Sequence, residues 1–479
     1  MEWTCKRKFK KNTVGILIIF FFLSIYIFPQ EINLYEEKIF EKDLSIKKTE
    51  IQIFTFPQIS ISFPDVPLIH LEDSYEEEKN YIDIKAGSFS SFYTDLFSKW
   101  EKNFSQYLFN FKTGYSNGYR ENDMINETYL EFGIKTEKPF LNFTTNFLNK
   151  NIELPGPTFS PFSSTRNSEN SNVSIQYKPD KEPFLFEISN KSYKTENFSS
   201  NYITLGCIIE KENINIKNYF ERQDFWEYFC NNSISSGIFY KNGNICFGGN
   251  VKGITEYGER FLPYCDISFL EGFKFKIDGK YEIPDFWYDF QNINYKELKP
   301  EKIPPSESYS ATISYQKEIK KSFLKFDISE IWWKNFYIWK DNDSNFLLEP
   351  FSEKDLWETF FNLEFNQKIK PISYFFIRFN KDFFQRDIDY IPESNLETGF
   401  GFKNDNSEGK VWFSYTGEKV FSPVTIEEYL LCNCEFLWGV KKNIWLGFDV
   451  YNIFNQEYEY APGYPGEKRK ILLYTKIYF

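Results

Sequence analysis

The sequence predicts an all-β protein: a transmembrane, antiparallel, up-and-down β-barrel of about 22 strands. Because predicted strand boundaries have errors of a few residues, 20 strands are also compatible with the pattern. Three observations predict this fold: segments of alternating apolar and polar residues, connections that alternate between short turns and longer loops, and a half-apolar strand at the C-terminus. A soluble array of β-sandwiches is the alternative. It does not predict such a regular alternation of connection lengths.

Residues 1–30 have the pattern of a secretory signal peptide. Five basic residues between Lys6 and Lys11 precede the apolar run Val14–Phe28, and this order is typical of a signal sequence. The run is short for a membrane-spanning helix, which needs roughly 20 residues. Because no small-residue cleavage site follows, an uncleaved N-terminal anchor is the alternative.

Residues 31–80 form a separate N-terminal segment. It opens with mixed charges, continues as the proline-punctuated, strand-like run Ile51–Leu71, and ends on acidic residues. We predict that this segment lies in the periplasm or in the lumen of the barrel. The barrel itself is predicted over residues 81–479.

The predicted strands alternate with a period of two. Leu324, Phe326 and Ile328, for example, interleave with Lys325, Asp327 and Ser329. This period places the apolar set on one face of a strand and the polar set on the other. Tilted strands of about 9–11 residues have the length that crosses a bilayer.

The connections fall into two classes. Ten short turns alternate with eleven longer connections, and this alternation yields the 22 strands. Among the longer connections we predict loops at Asn151–Ser171, Asp224–Asn232 and Lys340–Leu356. An even strand number, with short turns on one side and longer loops on the other, is typical of outer-membrane barrels. The sequence therefore predicts that the protein lies in the bacterial outer membrane.

The last ten residues predict a closing strand. Such a strand at the extreme end of a chain is what a barrel needs to pair its last edge with its first. One face carries Ile471, Leu473, Thr475, Ile477 and Phe479, and the other carries Lys470, Leu472, Tyr474, Lys476 and Tyr478.

Composition favours sheet over helix. Aromatic residues make up 21% of the chain, and alanine occurs only at Ala86, Ala311 and Ala461. Strand-forming residues thus replace the best helix former, although nucleotide bias accounts for about half of this enrichment. The mean hydropathy of −0.49 is compatible with a barrel, because half of each strand is polar.

Charge and residue chemistry exclude several functions. The net charge is −12, and it becomes −16 if residues 1–30 are removed, so nucleic acid is disfavoured as a partner. His70 is the only histidine and lies before the barrel. Catalysis by a histidine base and a two-histidine metal site are therefore not expected. We predict no enzymatic activity, no cofactor and no metal. The six cysteines after residue 30 fit no zinc module, and we expect mostly structural thiols, with at most one disulfide.

The C-terminal region resembles that of the TonB-dependent receptor family of outer-membrane transporters. In that family an Asn-apolar-Phe motif ends the penultimate strand, and a Gly-Tyr-Pro loop follows. The matching residues here are Asn452, Ile453, Phe454, Gly463, Tyr464, Pro465 and Arg469. By the same resemblance, Leu473, Ile477 and Phe479 look like the signal that the barrel-assembly machinery reads.

The resemblance extends to the first part of the predicted barrel. Gly87-Ser88-Phe89 is similar to the family's first hairpin, and Ser116–Asn122 and Leu154–Pro157 are similar to the next two external loops. It implies a 22-stranded barrel that takes up scarce nutrients such as metal chelates, cobalamin or glycans, powered through TonB. The chain departs from the family in one respect, because residues 31–80 are too few for the family's plug domain.

The sequence therefore predicts passage of an unknown small solute across the outer membrane, with doubtful energy coupling. The expected partners are outer-membrane lipid, the barrel-assembly machinery, and either TonB or a separate plug-bearing protein. The alternative is a non-transporting surface barrel that displays its loops for binding or adhesion. Two aromatic groups are candidates for an interfacial girdle or for ligand contacts, with the girdle favoured for the first: Trp332, Trp333, Phe336, Tyr337 and Trp339; and Tyr458, Tyr460 and Tyr464.

Overall fold

A computed structural model describes residues 80–479, apart from residues 103, 119–123, 138, 155–163, 181, 196–198, 226–228, 284–296, 299–301, 342–346, 371, 387, 389–390 and 422–423. The predicted signal peptide, His70 and the N-terminal segment up to residue 79 lie outside the described residues. Among the residues that are described, no helix is long and apolar enough to cross a membrane.

Twenty-two strands form one closed antiparallel barrel, which confirms the predicted fold class. Numbered in chain order, they are β1 (Tyr81–Gly87), β2 (Ser91–Lys102), β3 (Ser105–Ser116), β4 (Ile125–Glu137), β5 (Phe140–Leu154), β6 (Ser164–Lys178), β7 (Phe184–Thr195), β8 (Ser199–Lys211), β9 (Ile214–Phe225), β10 (Phe229–Asn242), β11 (Ile245–Ile254), β12 (Gly258–Leu270), β13 (Phe273–Glu282), β14 (Ser306–Ile319), β15 (Ser322–Asp341), β16 (Leu347–Lys370), β17 (Ser373–Phe384), β18 (Ser394–Asn404), β19 (Ser407–Thr416), β20 (Tyr429–Lys441), β21 (Ile444–Tyr451) and β22 (Lys470–Tyr478).

The last strand closes the cylinder against the first. β1 pairs over its whole length with β22, from Tyr81 opposite Tyr478 to Gly87 opposite Leu472. The terminal residue joins the ladder as well, because the backbone N–H of Phe479 donates to the carbonyl of Asn80 at 3.0 Å. Closure leaves no strand edge with unpaired backbone groups facing lipid.

The turns at one end of the barrel are tight. Two residues connect the strands at nine of the ten turns, and the connection from β6 to β7 is longer. Gly243 and Gly272 occupy turn positions with φ of +57° and +83°, a region that glycine enters at little cost. By the rule for outer-membrane barrels this is the periplasmic end, and the opposite end is extracellular.

Three predicted loops are wrong in extent because the strands continue beyond the bilayer. β5 and β6 pair up to Leu154 and Ser164, where the loop Asn151–Ser171 was expected. β15 and β16 pair up to Asp341 and Leu348, within the expected loop Lys340–Leu356. The expected loop Asp224–Asn232 likewise shrinks to the connection between β9 and β10. Polar residues join the ladder there because pairing satisfies their backbone groups as well as water does.

Five further strands of two or three residues lie in the connections between barrel strands. Glu297–Leu298 pairs in parallel with the start of β16. Two small hairpins lie in the last extracellular loops: one joins Lys419–Phe421 to Val424–Ile426, and the other joins Glu459–Ala461 to Tyr464–Pro465.

The two faces of the strands separate as the alternation predicts. Leu473, Phe261 and Phe400 are among the exposed outward residues, with exposed fractions of 64%, 62% and 60%. The lysines and acidic residues between such positions point into the barrel and contact each other across strands. An apolar outer band around a polar interior is the arrangement that a lipid environment requires.

Part of the interior is packed with aromatic side chains. Phe376, Trp412, Tyr451 and Leu472 form a buried cluster on the lumen side of β17 to β22, with Tyr93 of β2 against it.

The six described cysteines are all free. Cys432 and Cys434 lie two residues apart on β20, and the six show no disulfide of the kind that the sequence left open.

Candidate functional site: lumen wall and external loops

One arc of the lumen wall, formed by β16 to β22 and β1 to β3, carries charged side chains in pairs. We call it the charged arc. Lys85 of β1 reaches past β22 to Asp449 of β21, with 2.9 Å between its Nζ and the carboxylate. The two side chains are only 16% and 2% exposed. A buried pair of this kind is retained only where the partners satisfy each other, because an unpaired buried charge is costly.

The charged arc continues on β16 to β19. Glu397 accepts from both Lys410 and Arg378 at 3.4 Å, and Arg378 lies 3.8 Å from Glu364. The Lys410 Nζ also lies 4.7 Å from the ring centre of Phe376 and 4.3 Å from that of Trp412. The aromatic cluster thus supplies cation–π contacts to a lysine that is itself nearly buried.

At the other end of the charged arc the pairs reach β3. Lys112 lies 3.4 Å from Asp95, to which the Tyr81 hydroxyl donates at 3.1 Å. The Tyr451 hydroxyl donates to Glu435 at 3.3 Å. The arc is therefore a connected set of compensated charges rather than a patch of one sign.

The remaining wall differs in chemistry. At mid-height between β5 and β10 most lumen-facing positions are serine, threonine, asparagine or glutamine. Charged side chains face the lumen above and below this level, at Lys150 and Arg166 toward the extracellular end and at Lys178 and Lys217 toward the periplasmic end. Glu221 of β9 is paired with Lys252 of β11 at 2.6 Å. Among the described residues, no group of three or more His, Cys, Asp or Glu side chains could hold a metal ion.

The predicted aromatic group at Trp332 and Trp333 divides between the two faces. Trp332 points outward and stacks with Tyr309 and Trp357, with ring centres 5.8 and 6.4 Å apart. Trp333 points inward, is 5% exposed, and donates from Nε1 to Glu358 at 2.7 Å. The outward half forms an interfacial girdle, and the inward half is part of a buried cluster with Phe336.

Asn452, the first residue of the predicted family motif, fixes the last extracellular loop. Its side-chain amide donates to the carbonyls of Gln456 at 2.8 Å and Glu467 at 3.0 Å, and its Oδ1 accepts from the N–H of Gln456. Its own N–H donates to Asn433 at 2.9 Å. One buried side chain therefore holds both ends of the loop at residues 452–469.

The other motif residues have different positions. Gly463 has a φ of +75°, and its N–H donates to Glu459 at 3.2 Å. Tyr464 is 1% exposed, whereas Phe454 is 70% exposed. The N–H of Arg469 donates to Asn455 at 2.9 Å. The structure thus brings Asn452, Gly463, Tyr464, Pro465 and Arg469 into one ordered loop, and Ile453 joins it to β20 through the carbonyl of Cys432.

Two extracellular loops, residues 417–428 and 452–469, pack on each other. The rings of Tyr429 and Tyr458 lie 4.4 Å apart between their centres. Lys419 lies beside them with 6% exposure, and its Nζ is 5.9 Å from the Tyr429 ring centre. Burial lowers the pKa of Lys419 to about 8. We call this set of loop residues the external cluster.

The residues expected to direct assembly all point outward: Leu473 lies near the extracellular end of β22, and Ile477 and Phe479 lie at its periplasmic end. Leu473 is 64% exposed, Ile477 38% and Phe479 62%. Their backbones close the barrel and their side chains face lipid. This position leaves them accessible to another protein before the barrel is in the membrane, and the assembly role stays a prediction.

Sequence reasoning missed the charged arc. Lys85, Asp449, Glu397 and Lys410 are ordinary alternating polar residues in their own strands. Lys85 and Asp449 meet only because β22 pairs with both β1 and β21, at the two ends of the barrel sequence. Glu397 and Lys410 lie on consecutive strands, and their contact depends on the register of the β18–β19 hairpin. A signal exists in the sequence, because each turn position fixes which residues stand opposite one another.

The closed barrel, its outward apolar band and its polar interior define the chain as an outer-membrane β-barrel, which places it in the bacterial outer membrane. Comparison with solved structures shows which barrels share this fold. One is the pyoverdine outer membrane receptor FpvA from Pseudomonas aeruginosa, with a TM-score of 0.63 at 10% identity, covering 84% of this chain and 78% of that chain.

Two further structures show the same similarity. A mutant of the ferric enterobactin receptor PfeA from Pseudomonas aeruginosa has a TM-score of 0.61 at 8% identity and covers 84% of this chain and 80% of that chain. The FrpB iron transporter from Neisseria meningitidis has a TM-score of 0.62 at 9% identity, with 84% and 83% covered. The resemblance to TonB-dependent receptors is thus confirmed for the fold.

No protein-family model matches the sequence, and no curated protein matches it. Sequence identities of 8–10% show a shared fold and do not identify a ligand.

Proposed function

We propose that the protein is a conduit that takes a scarce solute across the outer membrane. The observation that carries this proposal is the contrast between an apolar exterior and a lumen wall that is polar or charged around its circumference. A barrel of this strand number encloses a wide lumen, and outer-membrane transporters of this size keep it plugged. The extracellular loops would select the solute and the wall would guide it. Receptors and transporters of the same fold support this reading, and no catalytic role is proposed.

The lumen must be obstructed, because a bare cylinder of this width would leak. We propose that residues 31–80, inward-folded loops or a separate plug-bearing protein provide the obstruction. Single-channel recording of the purified full chain in planar bilayers distinguishes these options. Small or absent currents are expected if the chain obstructs itself. Large, steady currents would reject obstruction by this chain and leave only the separate protein.

TonB is the proposed energy source. The test compares accumulation of labelled solutes in cells with and without the barrel: a ferric catecholate chelate and a neutral oligosaccharide. We expect accumulation that requires the barrel and stops when the proton-motive force is dissipated. Accumulation that persists without that force would reject TonB coupling. No barrel-dependent accumulation of any solute would reject the conduit.

The ordered external cluster supports a second candidate function, the display of loops for binding or adhesion. Asn452 and the contact between Tyr429 and Tyr458 hold these loops in one arrangement. Display without transport predicts a barrel that passes no solute but whose loss reduces surface binding. The same accumulation assay separates the two functions.

We also infer that Leu473, Ile477 and Phe479 form the signal that the barrel-assembly machinery reads. Their outward orientation supports this role, since a receptor protein can contact them without opening the barrel. Phe479 is the best position for a test because its side chain makes little contact with the rest of the chain.

A further inference from the structure

The lumen wall of β5 to β10 carries a row of hydroxyl groups. Residues directly opposite in neighbouring antiparallel strands have Cβ atoms about 5 Å apart, so the side chains of such a row adjoin. Five of the six residues are serine or threonine. The row consists of Thr144, Ser174, Ser189, Thr204, Glu221 and Ser233.

The next row toward the extracellular end is rich in amides. It consists of Asn146, Asn172, Lys191, Tyr202, Gln223 and Asn231. On the periplasmic side of the hydroxyl row, Asn142 donates to Gln176 and Gln176 donates to Glu187, both at 3.4 Å. We call these three rows the neutral wall.

The charged residues of the neutral wall are Glu187, Lys191 and Glu221, and Lys252 of β11 brings their formal sum to zero. Glu221 accepts from Lys252 and from the Ser233 hydroxyl, both at 2.6 Å. The Lys191 Nζ lies 5.7 Å from the ring centre of Tyr202. A solute that moves along this wall therefore meets donors and acceptors and little net charge.

Two buried amides, one in the amide row and one in the next row toward the extracellular end, have polar atoms without a hydrogen-bond partner. Asn170 is 1% exposed, and neither its Oδ1 nor its Nδ2 has a partner. Asn231 is 3% exposed, and its Oδ1 has none. Leaving such atoms unsatisfied is costly in a folded protein. Water or the polar groups of a bound solute can complete such an amide.

We propose that the neutral wall is a binding track for a neutral, hydroxyl-rich solute, chemically a carbohydrate oligomer. This proposal rests on the conduit function. Each hydroxyl of such a solute both donates and accepts, and so do the hydroxyls and amides of the wall. A repeating oligomer can place one hydroxyl after another on a row that crosses six strands. An anionic chelate would meet mostly uncharged groups there, beside the carboxylates of Glu187 and Glu221. In the charged arc, Lys85, Lys112 and Lys410 are already paired with carboxylates.

Binding to the purified full chain tests the proposal. Isothermal titration uses a neutral α-1,4-linked glucose hexamer, a sulfated glucose hexamer of the same length and a ferric catecholate chelate. The detergent has no sugar head group, since a maltoside would compete. The double variant Asn170→Leu/Thr204→Val removes one amide beside the neutral wall and one hydroxyl within it, and it keeps the number of side-chain heavy atoms. Thr145→Val is the matched control, because Thr145 neighbours Thr144 on β5 and faces lipid.

We expect the neutral hexamer to bind more tightly than either anion, and the double variant to weaken it by about tenfold or more, as expected for two lost hydrogen bonds. The control variant should bind like the parent. Folding is checked by heat-modifiable mobility on gels, and Thr204→Val alone replaces the double variant if that variant does not fold.

Three outcomes overturn the proposal. The first is binding of either anion that is as tight as binding of the neutral hexamer, or tighter. The second is a folded variant whose affinity for the neutral hexamer is unchanged. The third is the absence of binding of the neutral hexamer. Barrel-dependent accumulation of the chelate in cells, together with any of these, would leave the conduit standing and remove only the neutral wall as its track.

Discussion

Lys419 is a charged residue that the fold has moved out of water. It lies in the external cluster with 6% exposure, and burial lowers its pKa from 10.5 to about 8. Between these two values the unfolded chain binds a proton that the folded chain does not. Unfolding free energy therefore rises with pH in this window, and below about pH 8 the cost of the buried charge is constant.

Lys419→Met should stabilise the protein at pH 7 by up to about 3 kcal/mol, because it keeps the length of the side chain and removes the charge. The gain should shrink as the pH rises toward 10.5 and vanish there. Urea unfolding of the vesicle-inserted barrel at several pH values measures it. A gain that does not vary with pH would show that packing, not ionisation, separates the two proteins.

Asn452 is a residue whose structural role could be predicted from the sequence. Its position after a strand and before an aromatic residue marks it as special, and the structure gives the reason: four hydrogen bonds and a φ of +50°. The same pattern could not reveal Lys419. Its burial comes from loops that meet only when β18 to β22 are side by side.

At the scale of elements, the turns were predictable and the strand lengths were not. Gly243 and Gly272 mark two periplasmic turns because glycine adopts positive φ at little cost. Phe104, Glu212 and Lys320 have positive φ in three other turns without such a signal in the sequence. β16 runs for 24 residues, far beyond what a bilayer needs. Above the membrane both faces of such a strand meet water, so the alternation fades and the sequence resembles a loop.

Two turn glycines provide a prediction at this scale. Both have positive φ, but a methyl group at Gly243 meets nothing within 4 Å, whereas at Gly272 it would collide with the carbonyl oxygen of Gln316 on β14. That contact is part of the ladder, since the N–H of Gln316 donates to the Gly272 carbonyl at 2.8 Å.

Gly243→Ala should cost about 1 kcal/mol of unfolding free energy, the price of a side chain in the left-handed region. Gly272→Ala should cost at least about 2 kcal/mol more, because the β12–β13 hairpin must move away from β14. Urea midpoints of the two variants in lipid vesicles give the comparison. Equal losses would mean that the hairpin shifts freely and that only φ matters.

At the scale of the whole molecule, closure was foreseen and the division of the lumen was not. A half-apolar terminal strand requires a partner edge, and the first alternating segment offers it. The charged arc and the neutral wall depend instead on which strands become neighbours around the full cylinder. Trp332 and Trp333 illustrate the difference, since alternation puts adjacent residues on opposite faces even where composition makes them look like one group.

Phe479 permits a test of assembly that is separate from stability. Its backbone N–H is held by Asn80, and its ring is 62% exposed. Phe479→Ala should therefore fold into vesicles from urea nearly as fast and as stably as the parent. In cells of a Gram-negative host it should reach the outer membrane several-fold more slowly, if the assembly machinery reads the ring.

Phe104 is the matched control: it is 89% exposed in the β2–β3 turn at the same end of the barrel. Phe104→Ala should leave both rates unchanged. A lipid anchor would behave alike at both positions, so equal delays for the two variants, or a loss confined to vesicle folding, would remove Phe479 from the proposed signal.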